Sequence, residues 1–407
     1  MQLTGTIQVQ HLFKVTALAA MTVAIPVETA RAGDNADVSF GATPRWDDPE
    51  TGNYFKLRGR VYIDVATSEW DTAGVSSDSS GTEFRTARLG VEGRWFAWDY
   101  KAEFDFSGDE VTAKDVVLSY RGDNFTINLG NQKSPNSLEE QTSSRYTTFM
   151  ERGTATDLFG LDRRIGATFK TGGDNYSFAA GVFGGPAGDF GYSSMSDETS
   201  AMAARLTFTP VNTDDLILHF GGSIRAMDYA DQGARVRARP RTHTTGRIVT
   251  ADFRPGGALG RADSSTLYGL EAAVISGPVH AHAEYMNMEM NGPTGDPSFD
   301  SYFVNLGWFL TGETRAYRAS SGTFRRTSPN APVSQGGSGA WEVAMRYDFS
   351  DLSEVRVGEL TTWTLGVNWH AEKYIRFMAN YVDGSLAMPG VADTDISTFQ
   401  LRAQWDF

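Results

Sequence analysis

The sequence predicts an all-β fold: a transmembrane antiparallel β-barrel of 16 strands. Three observations carry this. Apolar and polar residues alternate from Tyr54 to the end in segments of roughly ten residues, the length of a tilted membrane-spanning strand, where soluble strands average about five or six. These segments number sixteen, and a closed antiparallel bacterial barrel needs an even number. The composition is rich in glycine (43) and aromatics (12%), yet 21% of residues are charged and mean hydropathy is −0.33. A barrel that opposes one apolar and one polar face averages out in this way.

Composition also excludes. A net charge of −14 argues against a nucleic-acid binder. With no cysteine, disulfide scaffolds and thiolate metal sites are impossible. A soluble sandwich would show the same alternation, and strand length decides against it.

Residues 1–32 read as a cleaved secretory signal. Lys14 supplies the positive region, Val15 to Val27 the apolar run, and Ala30-Arg31-Ala32 the cleavage site. Cleavage removes Lys14, Glu28 and Arg31 and takes the charge from −14 to −15. No run of 18 apolar residues follows, so no spanning helix is expected. Residues 33–53 form an N-terminal periplasmic segment, and 54–407 the barrel.

The first strand shows the pattern. In Phe55-Lys56-Leu57-Arg58-Gly59-Arg60-Val61-Tyr62-Ile63-Asp64-Val65 the odd positions are apolar or small. The full set is 54–68, 84–96, 99–107, 112–121, 124–133, 162–171, 174–184, 200–209, 214–225, 265–276, 278–289, 301–311, 338–349, 360–370, 373–383 and 396–407. With the carboxy terminus on the periplasmic side, the short turns near Ala97, Gly122, Gly172, Val211, Gly277 and Ala371 fall inside. The long connections 69–83, 134–161, 185–199, 226–264, 290–300 and 384–395 fall outside, as the barrel rule asks. Two connections strain it: 108–111 is a short outer link and 312–337 a long inner one. A seventeenth strand near Arg315 to Ala319 would break the parity. Trp95, Trp98, Tyr100, Trp308, Trp363, Trp369, Tyr374 and Trp405 sit near strand ends, as interfacial girdles do. The chain closes on Gln404-Trp405-Asp406-Phe407, a strand with an aromatic terminus.

Several segments resemble the phosphate-selective porin O/P family. They include Lys101-Ala102-Glu103-Phe104-Asp105-Phe106, Gly130-Asn131-Gln132-Lys133, Thr148-Phe149-Met150-Glu151-Arg152 and Arg163-Arg164-Ile165-Gly166. Later come Arg237-Ala238-Arg239-Pro240, His243, Gly307-Trp308-Phe309-Leu310-Thr311-Gly312-Glu313 and Thr364-Leu365-Gly366-Val367-Asn368-Trp369. The resemblance implies a trimeric 16-stranded porin of the bacterial outer membrane that conducts phosphate, polyphosphate or other small anions. It also implies that the third outer loop, here 134–161, folds inward.

Charged residues on the lumen face set an electrostatic barrier. Alternation assigns Arg60, Arg88, Lys101, Glu103, Asp105 and Arg164 to that face, with Lys56, Arg58, Asp64, Glu92, Lys170, Arg225, Arg346, Arg376 and Arg402. Constriction candidates are Lys133, Arg145 and Arg152. The resemblance puts Lys133 at the narrowest point with Asp105 beside it, although Lys133 shares the parity of the lipid-facing Leu129. Arg235, Arg237, Arg239 and Arg241 alternate on one face of the outer loop 226–264, and Arg235, Arg237 and Arg239 resemble the family's ladder of anion-guiding arginines. The alternative for them is binding lipopolysaccharide phosphates. Lysine is scarce, with seven residues including Lys14. Arginine would therefore replace much of a lysine-rich site, or the pore is broader.

The expected function is passive diffusion of small anions, with phosphate or polyphosphate the solute that the resemblance implies. The alternative is a general or solute-specific porin with weak ion selectivity. An enzyme is not expected: there is no Gly-x-Ser-x-Gly elbow, and His219, His243, His280, His282 and His370 form no catalytic pattern. Expected partners are the permeating anion, outer-membrane lipid and lipopolysaccharide, and two further copies in a homotrimer. No cofactor, metal or nucleic acid is expected.

Overall fold

A computed structural model describes residues 37–40, 43–187, 199–292 and 295–407. Sixteen strands form the barrel: β1 (Tyr54–Thr72), β2 (Val75–Trp95), β3 (Trp98–Asp105), β4 (Thr112–Arg121), β5 (Thr126–Lys133), β6 (Arg163–Gly172), β7 (Tyr176–Phe183) and β8 (Ser200–Asn212), followed by β9 (Leu216–Asp228), β10 (Ser264–Ser276), β11 (Val279–Asn291), β12 (Ser298–Phe309), β13 (Ala340–Leu352), β14 (Gly358–Glu372), β15 (Ile375–Ala387) and β16 (Thr394–Asp406). Each pairs antiparallel with its successor, and β16 pairs with β1 from Thr394↔Thr72 to Asp406↔Arg60, which closes the ring. A closed ring leaves no backbone edge to the lipid. Every strand expected from the alternation is present. Two short strands, Asp37–Phe40 and Pro44–Asp47, extend the sheet at the foot of β1. The signal assigned to 1–32 lies outside the described residues, as do residues 188–198 of the fourth outer connection.

The outward face is apolar. Ile63, Val65, Leu89, Leu118, Leu129, Leu206, Leu270, Leu306 and Leu401 are all exposed, a band suited to hydrocarbon. Tryptophans rim its inner end, with Trp341 and Trp369 stacked at 5.5 Å. Tyr347 against Trp363 at 4.7 Å marks the outer rim.

Two connections differ from expectation. The outer link 69–83 is not a loop. β1 and β2 run for 19 and 21 residues and turn at Ala73-Gly74, both at positive φ (55° and 80°). β16 runs alongside β1 to its tip, with hydroxyl pairs Ser68–Thr398 and Thr72–Thr394 both at 2.8 Å. Beyond the membrane neither face meets lipid, so the apolar half of the alternation disappears while the ladder continues. The inner segment 312–337 does not hang below the barrel. It turns up into it, burying Arg315, Ala319 and Phe324. Its Tyr317–Arg318 and Thr323–Phe324 pair only with each other, so the ring keeps sixteen strands.

The far side of the lumen is filled rather than wet. Inward positions there include Met286, Met288, Met290, Phe299, Leu267 and Leu360, which pack with Leu158, Phe159, Val236 and Val249 into one buried cluster. The open passage is therefore pushed against β1–β6 and β16.

Closure depends on one small residue. A Cβ on Gly59 would lie 2.3 Å from the Phe407 ring and 2.9 Å from the Arg88 carbonyl oxygen. Gly59 also exchanges backbone hydrogen bonds with Phe407, both at 3.0 Å. Gly59→Val is expected to cut the folded fraction sharply, read as loss of the heat-modifiable band on a gel, whereas Gly81→Ala, where nothing lies within 4 Å, leaves it unchanged.

Candidate functional site

The third outer connection, 134–161, lies inside the barrel. It carries two short helices, α1 (Leu138–Gln141) and α2 (Thr154–Leu158), and Leu138, Phe149 and Ala155 are fully buried. Backbone in such a position needs partners for its polar groups, and the opposite wall supplies them. Arg402 donates to the Met150 carbonyl at 2.6 Å, Arg376 to Thr147 at 2.7 Å and Arg225 to Phe159 at 2.6 Å. Arg346 donates to the Glu151 carbonyl at 2.8 Å and pairs with the Glu139 carboxylate. Asp348 accepts from the Thr154 amide at 2.7 Å and Asn368 donates to the Thr148 carbonyl at 2.8 Å. These four wall arginines thus hold the segment in place. The inner segment 312–337 grips it from below, Arg315 bonding the Thr148 hydroxyl and, at 3.1 Å, the Tyr146 carbonyl.

What remains open is a passage of about 880 Å³. Its walls run from Arg239, Arg241 and His243 of the outer loop to Arg325 and Arg326 of the inner segment. Seventeen lining side chains are lysine or arginine and seven are aspartate or glutamate, an excess of ten positive charges in a chain of net charge −14. Five of the seven lysines line it: Lys56, Lys101, Lys114, Lys133 and Lys170.

The excess arises because carboxylates are shared. Glu103, fully buried, takes Arg60 at 2.9 Å, Arg58 at 3.0 Å, Arg88 at 3.3 Å and Arg145 at 3.9 Å. Asp115 takes Lys101 at 2.6 Å and Arg163 at 2.7 Å. Glu140 takes Lys133 and Arg152, both at 3.1 Å. Glu151 takes Arg85 at 2.8 Å and Arg402 at 3.1 Å. Each carboxylate fixes the cations around it without cancelling them all. Among the described residues, the side chains of Lys114, Lys170, Arg239, Arg241 and Arg325 line the passage without an ion pair to a carboxylate.

Each residue singled out in the sequence has a definite place. Arg60, Arg88, Lys101, Lys133, Arg145 and Arg152 line the passage. Lys133 turns inward beside Gln132 because β5 ends there, and its ammonium meets the Glu140 and Thr142 carbonyls. Its carboxylate partner is Glu140. Asp105 does not stand there; it is buried beyond Arg88, whose Nε donates to it at 2.8 Å. Arg164 stands off the passage, bonded to the Gly184 carbonyl and Thr199 hydroxyl at 3.0 Å, while the adjacent Arg163 lines it.

Arg235, Arg237 and Arg239 descend along one face of a hairpin, Ala234–Ala238 paired with Val249–Phe253. Arg235 is exposed, Arg237 half-buried, and Arg239 reaches the passage with Arg241. Burial first, and Arg247 beside them, hold the Arg237 and Arg239 guanidiniums below the usual arginine range, the mark of crowded positive charge. Arg85, Lys114, Arg163, Arg325 and Arg326 are lining cations that alternation alone did not single out. Arg325 and Arg326 belong to the inner segment, and Arg85 is the residue left unpaired at the β1–β2 bulge between Tyr62↔Thr86 and Ile63↔Phe84.

Charge inversion at one lining cation tests the wall. Lys133→Glu places a second carboxylate on Glu140, and the expected result is weaker anion preference, seen as a smaller zero-current potential in a salt gradient across a planar bilayer.

Comparison with known proteins agrees with the barrel. The chain is 30% identical over 404 residues to an uncharacterized protein of Caulobacter vibrioides, covering 94% of this chain and 80% of that one. It is 26% identical over 399 residues to Porin O of Pseudomonas aeruginosa, covering 87% and 88%. Among solved structures, the anion-selective porin from Comamonas acidovorans shares the fold at a TM-score of 0.51 and 14% identity, over 87% of this chain and 100% of that one. The family model of the phosphate-selective porins O and P matches residues 55–407, the whole of the ring just described, and the chain therefore belongs to that family of bacterial outer-membrane porins.

Proposed function

We propose that the protein is a passive channel for small inorganic anions, with phosphate or polyphosphate as its favoured solute. The observation that carries this reading is the excess of ten positive charges lining the passage of an acidic chain. Confined cations between low-dielectric walls raise the local concentration of anions. Phosphate is favoured over chloride because the cations are clustered. The arginines that converge on Glu103 present guanidinium forks that suit a multi-oxygen anion. Membership of the phosphate-selective porin family supports the same reading. Transport needs no catalytic step, and a homotrimer in the outer membrane belongs to the reading.

The test is block of chloride current. Millimolar phosphate added to a bilayer carrying the purified protein in potassium chloride is expected to reduce conductance in a saturable manner. Unchanged current would favour an anion channel without phosphate preference.

A further inference from the structure

We infer that a small side chamber at the inner end of the passage is a binding site for one halide-sized anion that joins the inward loop to the barrel wall. The chamber, about 20 Å³, lies where residues 145–146, the inner segment and strands β14–β16 meet. Such a space holds one particle of water or halide size, and phosphate is too large for it. Six lining side chains are cationic and three are carboxylates.

The donors around it are incompletely used. Arg376 spends Nη1 on the Thr147 carbonyl at 2.7 Å and Nη2 on Gln404 at 2.8 Å. Arg315 spends its terminal nitrogens on Thr148 and Tyr146. In both, the buried Nε–H has no partner among the described residues. Arg145 Nε and His370 Nε2 also lack hydrogen bonds, with carboxylate oxygens of Asp406 and Glu342 only at 3.5 Å and 3.8 Å. Buried donors of this kind take an acceptor, and surplus positive charge in a low-dielectric pocket favours an anion over water. Arg145 also lines the passage, so ions in transit have access. This site is separate from the phosphate reading, since neither Arg315 nor Arg376 lines the passage.

The test is diffraction from crystals of the full mature protein grown in sodium bromide. The inference expects an anomalous peak in the chamber between Arg145, Arg315 and Arg376. A well-ordered chamber with water and no peak overturns it. In solution, the unfolding temperature of the detergent-solubilised protein is expected to climb with the logarithm of chloride or bromide concentration, but not with isethionate at equal ionic strength. Arg315→Lys, which keeps the charge and removes Nε, is expected to flatten the halide dependence in the folded protein. A full halide dependence in a folded Arg315→Lys protein also counts against it.

Discussion

Arg346→Ala is expected to open the pore and weaken the fold together. Arg346 is 1% exposed, and its nitrogens go to Asn305 at 2.6 Å, the Glu151 carbonyl at 2.8 Å and the Glu139 carboxylate. Its guanidinium also lies 4.5 Å from the Phe149 ring centre. Alanine leaves Glu139 buried without its main counter-charge and frees the middle of the inward loop. Removing one partner of a buried pair costs about 3–5 kcal/mol, which the loop meets by moving away from the wall. Single-channel recording should show a larger, noisier conductance, and thermal unfolding a lower midpoint. An unchanged conductance would show that 134–161 stays in place without this arginine. Glu139→Gln should have a smaller effect, since the amide can still accept from Arg346.

Lys114→Glu combined with Lys170→Glu should bring the largest loss of anion preference. Both lysines line the passage with no carboxylate partner among the described residues, so each contributes its full charge. A unit charge about 8 Å from an ion is worth roughly 0.5 kcal/mol in water and roughly 2 kcal/mol at an effective dielectric of about 20. Reversing two lysines changes the lining by four charges, so anion partitioning should fall by about tenfold or more. Lys373, which does not line the passage, is the control: Lys373→Glu should leave selectivity as it was. The same reversal made at Arg402, already paired with Asp64 at 2.6 Å, would confound selectivity with loss of the loop.

The ring of strands was legible because lipid imposes a strict period of two on one face. The same logic failed wherever lipid was absent. The tip of the β1–β2 hairpin stands in water on both sides, so Ser77, Asp78 and Ser79 read as loop. Met286, Met288 and Met290 sit at inward positions, and only the outer loops packed on them explain why they are apolar. Wall charges were legible as a set, but not their division of labour. Arg225, Arg346 and Arg376 resemble Arg60 and Arg88 in sequence, yet they serve loop carbonyls while the others face the passage. The scarcity of lysine suggested a poor lysine site, whereas placement outweighs number: five of the seven line the passage. The long inner segment 312–337 looked like an exception to barrel rules because sequence cannot show that it turns upward.

The central claim is that the lining, not the net charge, sets which ion passes. Its most direct measurement is the zero-current potential of the purified wild-type protein in a planar bilayer with potassium chloride at unequal concentrations on the two sides. The positive lining predicts a potential of the sign set by chloride, with chloride permeating well ahead of potassium. A potential of the sign set by potassium, or none, would contradict it.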